Sequence, residues 1–369
     1  MKKIGIITMH RVLNYGSILQ AYALQKKLSD IGVDSEIIDY IYPNAEHKKR
    51  LIFIDRIKKL ICFFLGLPTL YLRKKKKHKF DLFFKKYIKL SPKTYSTSSE
   101  LLNHSPEYDL YLTGSDQVWN PIHTKNDTTF LCSFVKDDSP RCSYAASFST
   151  SILPDELRGV YSNELLKYKL ISVRESSGID VVKNLTGRAA THVCDPTLLL
   201  SRAEWGKIVV NSELKIEGKY ILVYVLSYAY NPYPYVDRII EEIRSKLKLN
   251  VVYLNGRKAD YFNRDATIIK DAGPLDFLKL FLNASFVITT SFHGTCFALN
   301  FGIPFYSVIE GNEKKDSRII DLLKRVGAED RAINYKCDIA TLKCDTQFNT
   351  KMSVFIEESL SFLKDVAQI

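Results

Sequence analysis

Short apolar runs alternate with helical patterns along this chain, and each run stops at a polar residue. Residues 3–8 form the first run, a loop carrying Asn14, Tyr15 and Gly16 follows, and Leu19, Ala23, Leu24 and Leu28 then recur at helical spacing. Gly32 closes that helix and residues 35–40 read as the next strand. A strand, helix and strand joined this compactly imply parallel pairing and a doubly wound α/β sheet. Residues 109–113 end in Gly114-Ser-Asp-Gln117 and residues 142–146 in Ser147-Phe-Ser149. Residues 170–173 end at Arg174 and Glu175, and residues 191–194 at Asp195-Pro196. Ligands of such sheets bind beyond the carboxyl ends of the strands, so these polar ends and the loop 9–17 are where a site is expected.

The pattern starts afresh near Lys219. Strands are expected at 220–226, 250–254, 285–289 and 305–309, and helices at 235–246, 274–282 and 294–301. A length of 369 residues exceeds one ordinary core. The expected organisation is an N-terminal Rossmann-like domain over 1–205 and a C-terminal one over 215–345, with the boundary within 200–218. Residues 351–366 have helical periodicity, and the segment 350–369 is expected to pack back on the first domain. At 46% hydrophobic and 25% charged residues, the composition is globular rather than disordered.

The net charge of +12 is local in origin. Between His47 and Lys93 sixteen Lys and Arg face only Asp55 and Asp81, so this stretch is +14 and the remainder of the chain −2. It reads as an insertion at about 45–93, with Leu, Ile and Phe mixed among cations over 51–72 and the run Arg73-Lys-Lys-Lys-Lys77 after it. Its apolar core, 60–67, is far shorter than the roughly twenty residues that span a bilayer. Two readings stay open: a cationic amphipathic segment on an anionic membrane surface, and a solvated helix with a charged face. Nucleic acid is not expected as a partner, because no reading module accompanies the patch. Seven scattered cysteines without a CxxC pair or metal-ligand spacing point to a reducing compartment, and the first apolar run is too short for a secretory leader. The expected location is cytoplasmic, with peripheral attachment at the inner membrane face left open, and no metal is expected.

His293 is the foremost candidate for chemistry. It follows an apolar run and precedes Gly294 and a helix expected to begin at about Thr295, where amide groups and the dipole suit an anion. A histidine there can exchange a proton with a reacting group, or serve as a hydrogen-bonded residue of the turn. Arg174 suits bidentate recognition of carboxylate or phosphate, unless it pairs with Glu175. Asp116 suits a base or an orienting acceptor, unless it caps its turn. Lys314, Lys315 and Arg318 add positive charge after the last strand, with Arg318 placed at a helix start. The absence of GxGxxG, P-loop, HExxH and GxSxG patterns sets aside the common nucleotide, zinc-protease and serine-hydrolase readings.

Several segments, in order, resemble the polysaccharide pyruvyl transferase family. They are Gly5-Ile-Ile-Thr8, the stretch from Asn14-Tyr-Gly-Ser to Leu24, Thr113-Gly-Ser-Asp-Gln-Val-Trp-Asn120, Ser172-Val-Arg-Glu175, Asp195-Pro-Thr197, Thr290-Ser-Phe-His-Gly-Thr295 and Ser317-Arg-Ile-Ile-Asp-Leu-Leu323. The resemblance implies an α/β fold of two Rossmann-like domains facing a cleft, like the GT-B glycosyltransferases, with a site for a small anionic donor in that cleft. It implies transfer of the pyruvyl group of phosphoenolpyruvate onto two hydroxyls of a sugar, giving a cyclic ketal and phosphate. Phosphoenolpyruvate would be the donor substrate and no cofactor is implied. The acceptor would be a precursor of capsule or exopolysaccharide, free or lipid-linked. The implied catalytic residues are His293 and Asp116. Arg174, Arg318, Ser291, Gly294 and Thr295 would bind the donor, and Asn14, Tyr15, Gly16 and Gln117 the acceptor. Many family members carry Arg-Leu-His where this chain has Ser291-Phe292-His293, which would shift the donor's charge onto Arg174 and Arg318. Two alternatives are a nucleotide-sugar glycosyltransferase and a non-catalytic scaffold of a polysaccharide assembly complex.

Overall fold

A computed structural model describes residues 2–42, 68–136, 138–227, 230–256, 266–345 and 351–369 of the chain. Most of the apolar part of the basic insertion, 43–67, therefore lies outside the described residues. The chain divides into two units, Met1–Leu199 with Ile356–Ile369, and Leu200–Phe355. The division falls at the start of the range expected from sequence. Residues 200–205, expected in the first domain, belong to the second unit. There Arg202 donates to the Phe301 carbonyl and the Trp205 ring meets Phe297 edge-on at 5.4 Å.

The first unit is built on β1 (Lys3–Ile7), β2 (Asp34–Tyr40), β3 (Leu90–Tyr95), β4 (Leu110–Thr113) and β5 (Arg141–Ser143). They form an all-parallel sheet in the order β3-β2-β1-β4-β5. Beside them β6 (Ser172–Val173) pairs with β7 (Thr191–His192). β1 and β4 are buried along almost their whole length, the mark of parallel strands covered on both faces. The strands expected at 142–146, 170–173 and 191–194 are shorter than their apolar runs. Serine hydroxyls enter the ladder: Ser143 Oγ donates to the Ser172 carbonyl and accepts its N–H, both at 2.9 Å. Ser172 Oγ returns the pattern to the Ser143 carbonyl and the Ala145 N–H. Residues 90–93, read as part of the basic insertion, are the start of edge strand β3. Its Pro92 is tolerated because an edge strand needs only one partner.

The second unit contains β8 (Tyr220–Tyr224), β9 (Asn250–Leu254), β10 (Ala266–Ile269), β11 (Phe286–Thr289), β12 (Phe305–Val308) and β13 (Ala332–Ile333). The sheet is parallel in the order β10-β9-β8-β11-β12-β13, so the chain winds outward in both directions from β8. The helix Tyr235–Leu247 buries Val236, Ile239, Ile240 and Ile243, a single stripe at helical spacing. The helix Pro274–Asn283 begins with proline at its first position, and Asp276 accepts the Gly273 N–H at 2.9 Å. The short strands β10 and β13 carry no apolar run long enough to register in the sequence pattern.

The final helix, Met352–Gln368, runs close to its expected span. Its C-terminal part belongs to the first unit, where Ser359 Oγ accepts the Cys194 N–H at 2.8 Å and Phe362 lies against Tyr144.

Arg141 is fully buried on β5. Its guanidinium donates to the carbonyls of Cys132, Val135 and Lys136, and Nη1 stands 3.2 Å from Glu164 Oε2. It stitches the 132–136 segment to the sheet, and removing it strands three carbonyls and a carboxylate. Replacing one member of a buried ion pair costs about 3–5 kcal/mol. Arg141→Met is therefore expected to lower unfolding free energy by about that amount, read from urea transitions followed by tryptophan fluorescence. A change under about 1 kcal/mol would mean that the segment holds without it.

Candidate active site

The second unit carries its candidate residues where β11 ends. Thr289 Oγ1 donates to the Tyr224 carbonyl at 2.7 Å and accepts the Ser291 N–H at 3.0 Å, tying this end to that of β8. Ser291 is the N-cap of the helix Phe292–Asn300, its Oγ accepting the Gly294 N–H at 3.2 Å. The helix begins about three residues before its expected start, so His293 sits in its first turn rather than ahead of it. The Gly294 and Thr295 amides, expected to face a donor, are bonded to the Ser291 side chain and carbonyl. Thr295 Oγ1 adds bonds to the Ser291 carbonyl and to Ser307 Oγ. Only glycine fits at position 294, because a Cβ would stand 2.4 Å from Thr289 Oγ1. The turn that presents His293 is therefore held from every side.

His293 is 8% exposed, with its ring edge-on to Phe292 at 5.3 Å. The Arg318 guanidinium lies 5.9 Å from the centre of the same Phe292 ring, so His293 and Arg318 flank one aromatic side chain. The sequence places Arg318 at a helix start. The helix Glu313–Val326 begins earlier, which puts Arg318 in its second turn. Asp316 explains the difference, because its carboxylate accepts the N–H groups of Glu310, Gly311 and Asn312 and gathers the chain before the helix. The side chains of Lys314 and Lys315 lie outside the described part.

In the first unit, β4 ends in a tight turn. Gly114 has φ of +117°, and a Cβ there would meet the Tyr144 carbonyl oxygen at 2.1 Å. Asp116 follows with φ of +75°, a left-handed conformation that aspartate tolerates better than most residues. Its Oδ2 accepts from Ser17 Oγ at 2.5 Å, and its Oδ1 accepts the Gln117 N–H at 2.9 Å. Gln117 in turn accepts from Asn120 through Oε1 at 2.8 Å.

Arg174, beyond β6, is buried beside three carboxylates. Nη1 donates to Asp195 Oδ2 at 3.0 Å and lies 3.5 Å from Asp116 Oδ1, while Nε lies 3.3 Å from Glu175 Oε1. Burial alone would disfavour the cation, and Glu175, Asp116 and Asp195 more than offset it, raising its pKa above the usual arginine value. Its charge is thus met within its own unit before any anion arrives. Ser17, Glu175 and Asp195 complete this cluster, and sequence reasoning does not single them out as site residues. Their signal is their place just after apolar runs or one helical turn past Asn14.

Asn14 caps the helix Tyr15–Asp30, accepting the N–H groups of Gly16 and Ser17. Gly16 is buried in the first turn, and Tyr15 is buried beneath a second helix, Pro68–Tyr87, with Phe80 at 5.3 Å. A further cluster, missed in the sequence, lies at the ends of β1 and β2. Both His10 ring nitrogens face oxygen, Thr8 O at 2.9 Å and Asp39 Oδ1 at 3.2 Å. Arg11 clamps Asp39 with two bonds, and Thr94 donates to it as well. Burial works against the Asp39 carboxylate, but His10, Arg11 and Thr94 prevail and hold its pKa well below the ordinary range. A carboxylate next to last in an apolar strand is the available clue.

Among the described residues no group of three His, Cys, Asp or Glu side chains has the geometry of a metal centre.

Lys76 comes from the basic helix to the Tyr15 ring, its Nζ 4.5 Å from the centroid. Burial pulls its pKa down to about 8. An unfolded lysine titrates near 10.4, so between roughly pH 8 and 10.4 the unfolded chain binds the extra proton. Unfolding free energy should therefore rise with pH through this window, on account of Lys76. Lys76→Met is expected to flatten the rise, as measured by urea unfolding at pH 7, 8, 9 and 10. An unchanged slope would mean that Lys76 is solvated.

Solved structures of similar fold include the UDP-GlcNAc 2-epimerase of Methanocaldococcus jannaschii, crystallised with UDP-GlcNAc and UDP. It is 13% identical with a TM-score of 0.53, over 99% of this chain and 100% of that one. Another is a putative UDP-N-acetylglucosamine 2-epimerase from Listeria monocytogenes, 11% identical with a TM-score of 0.52, over 99% and 88%. At such identities the likeness is one of fold, α/β with parallel sheets of the GT-B type. No curated protein matches the sequence. The sequence model described as Polysaccharide pyruvyl transferase matches residues 14–312, a span holding the Asp116, Arg174 and His293 turns. The chain belongs to the polysaccharide pyruvyl transferase family.

Proposed function

We propose that the protein transfers the pyruvyl group of phosphoenolpyruvate to two hydroxyls of one sugar in a bacterial surface-polysaccharide precursor. The observation that carries this reading is the His293 turn: an imidazole held in the first turn of a helix, with Arg318 across the same aromatic ring. An imidazole and a guanidinium grouped around one aromatic ring suit an anionic enol phosphate.

In this reading His293 gives a proton to the methylene carbon, which becomes a methyl group as C2 turns electrophilic. A first sugar hydroxyl adds to C2 and loses its proton. The bond from C2 to the phosphate oxygen then breaks, and a second hydroxyl adds to close the ketal. Two hydroxyl protons are released, balancing the one taken by the methyl group and the one leaving with phosphate. No oxidation occurs, so the donor alone supplies what the reaction consumes. Arg318 and the dipole of the helix Phe292–Asn300 favour the departing phosphate. A donor group aimed at developing charge typically contributes about 3 kcal/mol, and a helix dipole about 1 kcal/mol.

The acceptor is assigned to the first unit. Asp116, braced by Ser17, the Gln117 amide and Arg174, is the acceptor of a hydroxyl proton. With its charge engaged by three carboxylates, Arg174 serves by fixing Asp116, and any contact it makes with the donor is secondary. Asn14, Tyr15, Gly16 and Gln117 shape the acceptor's surroundings. The acceptor is proposed to be lipid-linked, which would bring the protein to the inner face of a membrane.

Thermal-shift titration with phosphoenolpyruvate, against UDP- and GDP-sugars, separates this reading from glycosyl transfer. Stabilisation by phosphoenolpyruvate alone, lost in Arg318→Ala, is expected. Stabilisation only by a nucleotide sugar would overturn the donor assignment. His293→Ala should keep the donor-induced shift while phosphate release with an accepted sugar falls by at least about a hundredfold. Turnover within a few-fold of the parent would remove His293 from the chemistry.

A further inference from the structure

The helix Pro68–Tyr87 has two unlike sides. Lys76, Phe80, Phe83 and Tyr87 recur at spacings of four, three and four, and this side faces the protein. Phe80 lies on Tyr15, and Phe83 and Tyr87 meet Tyr22 edge-on at 5.8 and 5.9 Å. Tyr71, Lys74, Lys75, His78, Leu82 and Lys85 fall on the other side, and all are exposed. Over residues 71–87 eight Lys and Arg stand against Asp81, a net charge of +7. Two large apolar side chains are set among these cations, Tyr71 at 69% and Leu82 at 52% exposure.

We propose that this outer face docks on an anionic lipid surface. Cations alone would suit any polyanion. Leu82 has no use on a phosphate backbone, and with Tyr71, eleven residues away, it fits the boundary between headgroups and acyl chains. Lysines around them would meet the headgroup charge. Among the described residues no helix is long and apolar enough to cross a membrane. The inner side of the same helix covers Tyr15, next to the Asn14 cap, so docking would set the acceptor loop about one helix diameter, roughly 10 Å, from the lipid. Only this last consequence rests on the proposed transferase reading, since the docking itself requires no turnover.

The test is cosedimentation of the full chain with vesicles of phosphatidylcholine, with and without a third phosphatidylglycerol, at physiological ionic strength. Binding is expected only to the anionic vesicles. Each lysine near such a surface contributes about a fivefold gain in affinity, so Lys74→Glu with Lys85→Glu should weaken binding at least about tenfold. Lys207→Glu with Lys336→Glu, the same charge change on exposed residues of the second unit, should leave it within about twofold. Tyr71→Ser with Leu82→Ser should weaken vesicle binding but leave retention on duplex DNA of equal charge concentration unaltered. Circular dichroism checks that each variant folds. The proposal is overturned by equal binding to uncharged vesicles, by no binding to anionic ones, by indifference to the Lys74 and Lys85 changes, or by duplex DNA competing with the vesicles unless Tyr71 and Leu82 prove necessary. Loss of donor stabilisation would sink the transferase reading and leave vesicle binding standing.

Discussion

Parallel strands cannot be joined by a tight turn, so each must be followed by a crossover that packs on a face of the sheet. That constraint shapes both units. The faces are covered by helices and the strands become apolar throughout, as in β1, β4 and β8. Polar side chains are then tolerated chiefly at the strand ends. His293, Asp116, Arg174, Asp39 and His10 all lie at or just beyond carboxyl ends of strands, where chemistry has room.

Charges placed there are still largely buried, and a buried charge survives only with matched partners. Arg174 is balanced by three carboxylates, and Asp39 by Arg11, His10 and Thr94. The two networks meet the sheet at neighbouring strands: Thr8 accepts a bond from Gln20 and donates to the Ser115 carbonyl, while its own carbonyl takes the His10 ring. Asp116 is thereby fixed by groups drawn from the Ser17, Gln117 and Arg174 segments, which are far apart in sequence. In the second unit the same end is served by hydroxyls, with Thr289, Ser291, Thr295 and Ser307 locking the turn beneath His293. Ser291 is occupied as a helix cap.

Local signals located most elements well. The span Asn250–Leu254 and the helices over Tyr15–Asp30 and Tyr235–Leu247 follow from periodicity and caps that act within a few residues. The departures have side-chain hydrogen bonds as their cause, which periodicity does not register. Serine hydroxyls shorten β5 and β6, Asp316 draws the helix Glu313–Val326 forward, and Ser291 starts the helix of His293 early. Strand β3 is hidden in the sequence because Pro92 and Lys93 break the apolar pattern of an edge strand.

By itself the sequence determined the α/β class, the parallel strands, the turns on which a site must sit and the family, because apolar periodicity and turn residues act over short distances. Which charges meet was decided by tertiary structure alone. Ser17 and Asp116 are 99 residues apart, Arg174 and Asp116 are 58, and His10 and Asp39 are 29, and only the folded sheet brings each pair within bonding reach. The basic run declared its charge in the sequence. Only the helix it forms separated an inner side, resting on Tyr15 and Tyr22, from an outer one where Leu82 and Tyr71 stand among lysines.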